Sequence, residues 1–514
     1  MSSLLCAGIV TPLVAAPPAI TAVSPPAVQV GTTATLALAG KPGNAPIEVW
    51  CDRPELSVSM TGEKPQLQVE VPADAVPGLC WLRFYNAEGC TAPVPLLVGV
   101  LPQVDDKEPN NLPREAQELK SLPVAVQGVL HKSGEVDTYA VTLSAGQQLI
   151  ASVAAFEAFA SPMDGVLQIV SDEGYVVEQN DDHHSNDPQI EFVAPRDGVW
   201  YVRVFAFPAT PNSTIGFAGG DDYRYRLSLT TGPFVDHVIH HSDGTSQLIG
   251  WNLQGNEDLK QLPGLHLWRS SNVTSAPIQS ANARLTPGTV HTGELATPQT
   301  SYSGAFSATK GTNYRIRVTA QALGSILDPV LSIADTDGKV LKDSDDIGRD
   351  NRDVDLIWKA PSDGEFTLKV TDRFGHGSPR HFFELLVEVD QPRVALTLEA
   401  AQFDIKRGKP LEIPVTIARS GFADPLTVTV VGLPDGVTVT AATSEPKGDS
   451  SKSVKLKLEA GAAAAFNGPV RIVARSSADE QAAEITTATA SLPVSGWSTS
   501  VIWLTIPPEP EEKK

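Results

Sequence analysis

Six side chains with oxygen donors fall in two short stretches of the sequence, and together they have the composition of a calcium site. The two stretches contribute Asp106, Glu108, Asn110 and Asn111, and then Glu135 and Asp137. Ca²⁺ takes about six to eight oxygen ligands, so all six are candidate ligands. A structural role fits equally well, because Asn110 and Asn111 favour turns and Asp137 can cap a hairpin. The sequence leaves both interpretations open.

A second polar group, NDDHHSND at residues 180–187, is a further candidate metal site. Its counterpart at residues 343–350 keeps the acids but contains no histidine, which argues against a shared transition-metal site. A polar hairpin loop is the simpler interpretation. His237 and His241 could chelate a metal if their segment were helical, but VDHVIHH is predicted to be a strand.

Three of the four cysteines, Cys51, Cys80 and Cys90, lie between residues 18 and 100, and the fourth is Cys6. Two of them could form a disulfide, either Cys51 with Cys80 between neighbouring strands or Cys80 with Cys90 across a hairpin. One thiol would remain unpaired. The cysteine spacing matches no zinc pattern, and no histidine lies nearby in the sequence to complete one.

Motifs for catalysis are missing from the sequence. Gly244-Thr245-Ser246 is superficially like the nucleophile motif of subtilases, but no matching Asp and His motifs precede it. GxSxG, HExxH and P-loop motifs do not occur. We therefore predict that the chain is not an enzyme.

The charge of the chain excludes two classes of partner. Lys and Arg number 39 against 60 Asp and Glu, which gives a formal net charge of -21 that is spread along the sequence. Nucleic acids and anionic membranes both require clustered cations. We expect neither as a partner.

Residues 1–17 contain an apolar run, Leu4–Val14, followed by small residues, which is typical of an export signal that lacks its basic beginning. The run is too short to span a bilayer, and no other apolar stretch approaches the required length of about 20 residues. The sequence therefore predicts no transmembrane segment and a protein that is secreted, periplasmic or at the cell surface.

One segment of the chain occurs twice. DGVLQIVSDEGYVVEQNDD at residues 164–182 aligns without a gap to DPVLSIADTDGKVLKDSDD at residues 328–346. The shared acids, glycine and alternating aliphatic residues indicate a duplicated β-unit.

Short alternating segments separated by Gly, Pro and Asn predict an all-β chain, a serial array of β-sandwich modules. We expect immunoglobulin-like modules at both ends and two jelly-roll type repeats between them. The predicted boundaries are a truncated signal at 1–17, an immunoglobulin-like module at 18–100, a first repeat at 104–232, a short β bridge at 233–287, a second, degenerate repeat at 288–392, an immunoglobulin-like module at 393–497 and a strand with a disordered tail at 498–514.

The first repeat resembles the bacterial pre-peptidase C-terminal domain. The resemblance rests on EPNN at 108–111, Gly128, GEVDTY at 134–139, the duplicated core and APRDGVWYVRV at 194–204. It implies a β-sandwich of the kind found on secreted peptidases and in multi-domain surface proteins. Related collagen-binding domains of clostridial collagenases bind calcium through similar linker and strand acids, which implies Ca²⁺ at the six residues named above.

The second repeat departs from this pattern, because EPNN is absent and TSYS at 300–303 replaces the acid and aromatic residues of the strand. The resemblance therefore implies the fold there without the calcium signature. The whole arrangement is similar to that of large secreted proteins of planctomycete-type bacteria.

These observations predict a non-enzymatic binding or scaffold protein whose loops contact extracellular polysaccharide or protein. Exposed aromatic rings would make the contacts, and the candidates are Trp200, Trp251 and Trp268. The alternative for each ring is a place in a sandwich core. The alternative function is an accessory subunit of a larger secreted peptidase or envelope assembly.

Overall fold

The computed structural model of the chain describes residues 16–183, 185–211, 216–240, 246–253, 262–264, 275–276, 283–349, 351–462, 464–477, 483–494 and 496–508. Most of the predicted signal segment, much of the predicted bridge and Trp268 lie outside these residues. Within the described residues the chain is nearly all β-structure, which confirms the predicted fold class. No helix there has the length and hydropathy needed to cross a bilayer.

The N-terminal sandwich is built from strands β1–β9. They are β1 (Ala19–Ser24), β2 (Ala27–Gln29), β3 (Thr33–Lys41), β4 (Glu48–Cys51), β5 (Ser57–Thr61), β6 (Gln66–Glu70), β7 (Gly78–Asn86), β8 (Gly89–Cys90) and β9 (Val94–Gly99). One sheet has the order β1-β3-β6-β5 and the other β2-β9-β7-β4, with β8 paired to β7.

The second sandwich contains β10–β19. They are β10 (Gln103–Asp105), β11 (Gln117–Glu118), β12 (Val124–Val129), β13 (Asp137–Leu143), β14 (Gln148–Ala154), β15 (Met163–Val170), β16 (Val176–Asn180), β17 (Gln189–Val193), β18 (Gly198–Pro208) and β19 (Arg224–Thr230). A 3₁₀ turn at Pro113–Glu115 and a short helix, α1 (Phe156–Phe159), lie between strands.

A two-stranded hairpin, β20 (Phe234–His240) and β21 (Ser246–Trp251), precedes the third sandwich. The strands of that sandwich are β22 (Ser275–Ala276), β23 (Ala283–Arg284), β24 (Val290–Glu294), β25 (Tyr302–Ala308), β26 (Asn313–Thr319), β27 (Pro329–Ala334), β28 (Val340–Ser344), β29 (Val354–Lys359), β30 (Gly364–Asp372) and β31 (Phe382–Val389), with a 3₁₀ turn at Gln321–Leu323.

The C-terminal sandwich contains β32–β43. They are β32 (Arg393–Leu398), β33 (Gln402–Asp404), β34 (Leu411–Ser420), β35 (Leu426–Val431), β36 (Val437–Thr440), β37 (Ala442–Ser444), β38 (Ser453–Ala460), β39 (Phe466–Ser476), β40 (Thr486–Thr487), β41 (Thr489–Ser491), β42 (Ser498–Thr499) and β43 (Ile502–Ile506), with a 3₁₀ turn at Asp449–Ser451. Its two sheets run β36-β38-β34-β32-β41-β42 and β33-β43-β39-β35-β37, with β40 paired to β39.

The second and third sandwiches have the same topology. The second has sheets in the order β10-β12-β19-β14-β17 and β11-β13-β18-β15-β16, and the third has β22-β24-β31-β26-β29 and β23-β25-β30-β27-β28. Each strand of one therefore has a counterpart in the other, so residues of the two sandwiches can be compared by register.

Each sandwich is held together by side chains that alternate along its strands. In β34 the inward positions Ile413, Val415 and Ile417 are buried, whereas the residues between them are exposed. Successive residues of a strand point to opposite faces, so this period of two places one apolar face of each sheet against the other. Separate buried clusters of this kind fill the four sandwiches.

The N-terminal sandwich also contacts the C-terminal one. Arg83 donates hydrogen bonds to Gln402 Oε1 and to the carbonyl of Ala401, at 3.2 and 3.0 Å. The Trp503 ring lies 5.9 Å from that of Trp50 and 5.1 Å from that of Tyr85, measured between centroids. The two ends of the described chain are therefore packed together.

A buried aspartate serves the same purpose in the second and third sandwiches. Asp187 accepts hydrogen bonds from the backbone N–H groups of residues 155, 156 and 157, which begin α1. Asp353 accepts from the N–H groups of residues 320, 321 and 322 at the corresponding 3₁₀ turn. The carboxylates cap short helices that have no capping side chain of their own. Asp187, predicted as part of a polar loop or metal group, is thus a helix cap.

We expect Asp187→Ala to lower the free energy of the local opening of α1 by about 1–3 kcal/mol, because three buried N–H donors lose their acceptor. Hydrogen exchange of residues 155–157 in the full chain measures this. The exposed neighbour Asp181→Ala is the control and should leave exchange unchanged. Equal protection in Asp187→Ala and the wild type would contradict the capping role.

Candidate metal site at the end of the second sandwich

The candidate site forms where the segment after β10 meets the beginning of β13. The segment from Asp106 to Asn111 leaves β10, and Asp137 is the first residue of β13. One carboxylate oxygen from each of Asp106, Glu108 and Asp137 lies within 4.8 Å of the other two. Three of the six predicted ligands are therefore brought together from two distant parts of the sequence.

Asn110 joins this group through its side chain. Its Nδ2 donates to Asp106 Oδ1 at 2.6 Å, and its backbone N–H donates to Glu108 Oε2 at 3.2 Å. The Asn110 carbonyl accepts from the N–H of Thr138 at 3.1 Å, which fastens the segment to β13. The loop is thus fixed in place by Asn110 before any ion is considered.

The other two predicted ligands bind backbone groups. Asn111 Oδ1 accepts from the N–H of Val136 at 3.2 Å, and Glu135 Oε2 accepts from the N–H of Lys132 at 3.0 Å. The Glu135 bond is local, within one turn, whereas the Asn111 bond joins the segment after β10 to the residue before β13. They do not exclude Glu135 from the site, because a carboxylate has a second oxygen and Glu135 is itself buried.

Two buried tyrosines connect the carboxylates. Tyr139 donates to Asp106 Oδ1 at 2.7 Å, Tyr225 bonds to Asp137 Oδ2, and the two hydroxyl oxygens lie 2.5 Å apart. Both tyrosines are fully buried. The three oxygen–oxygen contacts need three protons, and the two tyrosine hydroxyls supply two of them. All three hydrogen bonds therefore form only when one carboxyl group carries the third proton. Sequence reasoning missed both tyrosines as site residues.

The electrostatics of the site explain where that proton resides. Burial, the largest cause, and the neighbouring carboxylates of Asp106, Glu108 and Glu135 together raise the pKa of Asp137 to about 8, while the hydrogen bond from Tyr225 opposes them. Burial also raises the pKa values of Asp106 and Glu108. Without a cation, Asp137 therefore holds a proton at neutral pH.

Two buried oxygens of the site have no hydrogen-bond partner. They are Asn110 Oδ1 and Asp137 Oδ1, and both residues are completely buried. An unpaired buried acceptor costs about 1–3 kcal/mol, so such groups are expected to meet a cation or an ordered water. Hard oxygen acceptors beside three carboxylates suit Ca²⁺ in donor type.

Among the described residues, the third sandwich differs at the position that corresponds to Asp137. Asp137, the first residue of β13, pairs with Val204 in β18. Tyr302, the first residue of the counterpart strand β25, pairs with Val370 in β30. Tyr302 therefore occupies the place of Asp137. The sequence comparison anticipated the loss of the acid but not the residue that replaces it in space.

The tyrosine of β19 is replaced as well. Tyr225 lies opposite Gly128, and Phe383 lies opposite Gly293. In both sandwiches a Cβ on that glycine would collide with the aromatic ring, so each glycine makes room for it. Phe383 packs edge-on against Tyr302 with ring centroids 5.4 Å apart. An aromatic pair thus stands where the second sandwich has a carboxylate and a hydroxyl.

Cys51, Cys80 and Cys90 are free cysteines in the structure. Cys51 pairs in register with Leu82, so Cys80 is its diagonal neighbour on the same face. The Cys51 and Cys80 thiols share a hydrogen bond that lowers the pKa of Cys51. A disulfide between two of the three cysteines stays a prediction.

The predicted aromatic binding residues differ in their surroundings. Trp200 is 2% exposed and packs against Phe192 in the core, so it does not offer the exposed ring that was predicted. Trp251 is partly exposed, and its Nε1 donates to Glu191 Oε2 at 2.6 Å. Trp268 lies outside the described residues.

A pocket of about 390 Å³ lies at the end of the second sandwich, beside the C-terminal sandwich. The rings of Phe156 and Tyr223 line it, together with Pro208, Thr210 and Pro493. Its volume falls in the range of small-ligand sites, about 300–1,000 Å³.

The polar loop at residues 180–187 is divided between several roles. Asn180 Oδ1 accepts from the N–H of Gln189 at 3.0 Å, and His183 Nε2 lies 3.4 Å from Asp236 Oδ1. His184 and the side chains of His237, His240 and His241 lie outside the described residues. No metal cluster among the described residues includes this loop.

Comparison with known families gives one match. Residues 135–206 match the bacterial pre-peptidase C-terminal domain. The resemblance predicted for the first repeat is thereby confirmed over these residues. For the second repeat and for the planctomycete-type arrangement it stays a prediction. No curated protein shows significant similarity to the chain.

Solved structures with local similarity include bacterial and immunoglobulin domains. The pre-peptidase C-terminal domain of a Bacillus anthracis collagenase is 18% identical and covers 22% of this chain and 100% of its own, with a TM-score of 0.17. The glucan-utilisation protein SGBP-B of Bacteroides ovatus is 9% identical, with coverages of 72% and 76% and a TM-score of 0.15. Immunoglobulin domains 1–4 of Sidekick-1 are 9% identical, with coverages of 93% and 95% and a TM-score of 0.21.

We expect Tyr225→Phe to destabilise the second sandwich by about 1–3 kcal/mol, because Asp137 loses its hydroxyl partner while remaining buried. Hydrogen exchange of β13 in chelator-treated protein measures the change. Tyr175→Phe is the matched control, since Tyr175 is 71% exposed. Unchanged exchange in Tyr225→Phe would show that the hydroxyl contributes nothing to the site.

Proposed function

We propose that the chain is a non-enzymatic scaffold of β-sandwiches whose second sandwich is stabilised by Ca²⁺ bound at Asp106, Glu108 and Asp137. The observation that carries the proposal is the pair of buried, unpartnered oxygens, Asn110 Oδ1 and Asp137 Oδ1, beside three converging carboxylates. With Glu135 and Asn111 close by in the sequence, the oxygen donors are numerous enough for Ca²⁺.

The charge at the site favours a divalent cation. The charged groups that shift the pKa of Asp137 are all carboxylates, and each raises it. Ca²⁺ would displace the proton from Asp137 and replace repulsion between acids by attraction to the ion. It would supply charge neutralisation and no redox or acid chemistry.

Ca²⁺ bound here would connect two segments that are remote in sequence. Asp106 and Glu108 belong to the link that follows the N-terminal sandwich, whereas Asp137 begins β13. The ion would therefore strengthen the attachment of that link to the end of the second sandwich. We infer a structural role for calcium, as suits a protein outside the cytoplasm.

The binding partner that we propose is an extracellular polysaccharide, and the pocket lined by Phe156 and Tyr223 is the proposed contact. Aromatic faces stack on sugar rings, and Thr210 offers a hydroxyl at the same place. A protein partner, or a role as accessory subunit of a larger secreted peptidase or envelope assembly, would use the same exposed loops.

Calcium binding is tested by calorimetric titration of the chelator-treated full chain. We expect saturable binding with a dissociation constant of about 10⁻⁴–10⁻³ M, as in other extracellular modules. Asp137→Asn should weaken it at least tenfold while leaving the fold intact, because a neutral amide replaces a carboxyl group that is already protonated without metal. The adjacent exposed acid provides a control, Asp105→Asn, which should bind normally.

Two results would contradict the calcium proposal. One is wild-type protein that shows neither heat on titration nor a rise in melting temperature with calcium. The other is equal calcium affinity in Asp137→Asn and Asp105→Asn. Either would leave the acids as elements of the loop structure alone.

The polysaccharide proposal has its own test. Retention of the full chain on insoluble cellulose, chitin and mixed-linkage glucan should be reduced at least about threefold by Tyr223→Ala, because the ring provides the stacking surface. Tyr175→Ala is a control for an exposed ring remote from the pocket. Retention that is absent, or the same in both variants, would exclude these polysaccharides as ligands of the pocket.

A further inference from the structure

We propose a second metal site, for Zn²⁺ or a similar transition-metal ion, formed by Asp372, His376 and His381 in the third sandwich. One ligand atom from each residue lies within 4.8 Å of the other two. All three belong to the connection between β30 and β31, with the spacing D-x₃-H-x₄-H. This site is independent of the proposed calcium site.

The connection holds the ligands at the point where the chain crosses between sheets. Asp372 is the last residue of β30, and His381 directly precedes β31, which belongs to the opposite sheet. The loop between them packs closely on residues 297–299, since a Cβ at Gly375 or Gly377 would collide with that segment. The backbone that carries the ligands is therefore well positioned.

The carboxylate of Asp372 is oriented by three backbone groups. Oδ1 accepts from the N–H groups of Phe374 and His376 at 2.9 and 2.8 Å, and Oδ2 accepts from that of Asp328 at 3.1 Å. These three bonds hold the carboxylate of Asp372 in one orientation at the end of β30.

His381 is oriented as metal-binding histidines commonly are. It is 5% exposed, and its Nδ1 lies 2.9 Å from the hydroxyl of Ser378. A polar group at one ring nitrogen fixes the imidazole and leaves the other nitrogen for a metal.

His376 is the exposed and adjustable ligand. Its side chain is 70% exposed, and its Nδ1 lies 3.9 Å from Asp372 Oδ1. Tetrahedral Zn²⁺ with bonds of about 2.0–2.2 Å requires ligand atoms about 3.4 Å apart. Rotation of the exposed His376 side chain can supply the small approach that is needed.

The nearby cations have other partners. Arg373 binds Asp345 at 2.7 Å, and Arg380 binds Asp236 at 3.3 Å. Neither forms a salt bridge with Asp372 among the described residues. Two imidazoles with one carboxylate are typical of Zn²⁺ sites that keep a position for water, whereas Ca²⁺ prefers oxygen ligands alone.

Two positions of this site have no metal-ligating counterpart in the second sandwich. Because Val204 and Val370 are counterparts by register, Ala206 corresponds to Asp372. Tyr223 corresponds to His381 in the same way, two residues before the aromatic ring that lies over a glycine. The third sandwich therefore has Tyr302 in place of Asp137 and a different set of candidate metal ligands at the same end.

The site also adjoins a contact between sandwiches. Arg380, next to His381, donates to the carbonyl of His183 at 2.9 Å as well as binding Asp236. A metal that orders the β30–β31 connection would therefore strengthen the contact of the third sandwich with the second and with β20.

Zn²⁺ titration of the chelator-treated full chain, followed by calorimetry, tests the proposal. We expect one saturable site whose affinity falls at least about tenfold in His376→Ala, since removal of a ligand costs at least as much as removal of an outer partner. Because the His376 side chain is exposed, His376→Ala should keep the native fold, and circular dichroism verifies this. Ser378→Ala should weaken binding to a smaller extent.

His131→Ala provides the matched control, because its side chain is also exposed, at 59%, and lies in the second sandwich. Co²⁺ gives a second readout, since visible absorption from nitrogen and oxygen ligands should appear in the wild type and in His131→Ala and be lost in His376→Ala. Zn²⁺ affinity that is the same in His376→Ala, Asp372→Asn and the wild type would overturn the proposal, as would the lack of saturable binding.

Discussion

The contact between the inner faces of two sheets is the interaction on which every part of this structure depends. It requires alternate residues of each strand to be apolar, and it leaves the ends of the sandwich, where the chain crosses between sheets, free of that requirement. Charged side chains of the candidate sites and caps accordingly lie at or near strand ends. Asp137 begins β13 and Asp372 ends β30, whereas the capping residues Asp187 and Asp353 lie just before β17 and β29.

The second and third sandwiches show how such an end changes without loss of the fold. In the third, Tyr302 and Phe383 replace Asp137 and Tyr225 together, and their rings contact each other. A partial replacement would leave a buried carboxyl group without its partner, which is more costly than a complete network or none. The capping aspartate is retained in both, because the N–H groups of the short helix need an acceptor in either case.

Sequence reasoning predicted the fold class because the period of two is strong in almost every strand. It also selected Asp106, Glu108 and Asp137, which the fold brings together. It could not find Tyr225, whose role depends on β19 lying beside β12. It wrongly predicted that Trp200 is exposed, because an alternating strand pattern does not always show which set of alternate residues faces the core. In this strand Arg203 between Val202 and Val204 indicates that the even-numbered residues, including Trp200, face inward.

The Asp372, His376 and His381 group was missed for a different reason. Its members are close in sequence, but the loop is neither a strand nor a helix, so no periodicity predicts which side chains converge. Convergence follows from the bonds that Asp372 makes to the backbone of the loop and from the close packing of its glycines on residues 297–299. Such information exists only in the folded chain.

The packing of the N-terminal sandwich limits what an ion at Asp106 and Asp137 can do. Ala27, Leu79 and Leu97 of that sandwich are buried against Ala154 and Ala158 of the second, and Trp497 of the C-terminal sandwich packs on the same cluster. The link that contains Asp106 therefore joins sandwiches that already contact each other. The relative orientation of the two sandwiches is therefore already fixed before an ion binds. The binding free energy of the ion should appear as local stability of β13 and the preceding loop rather than as a change of shape.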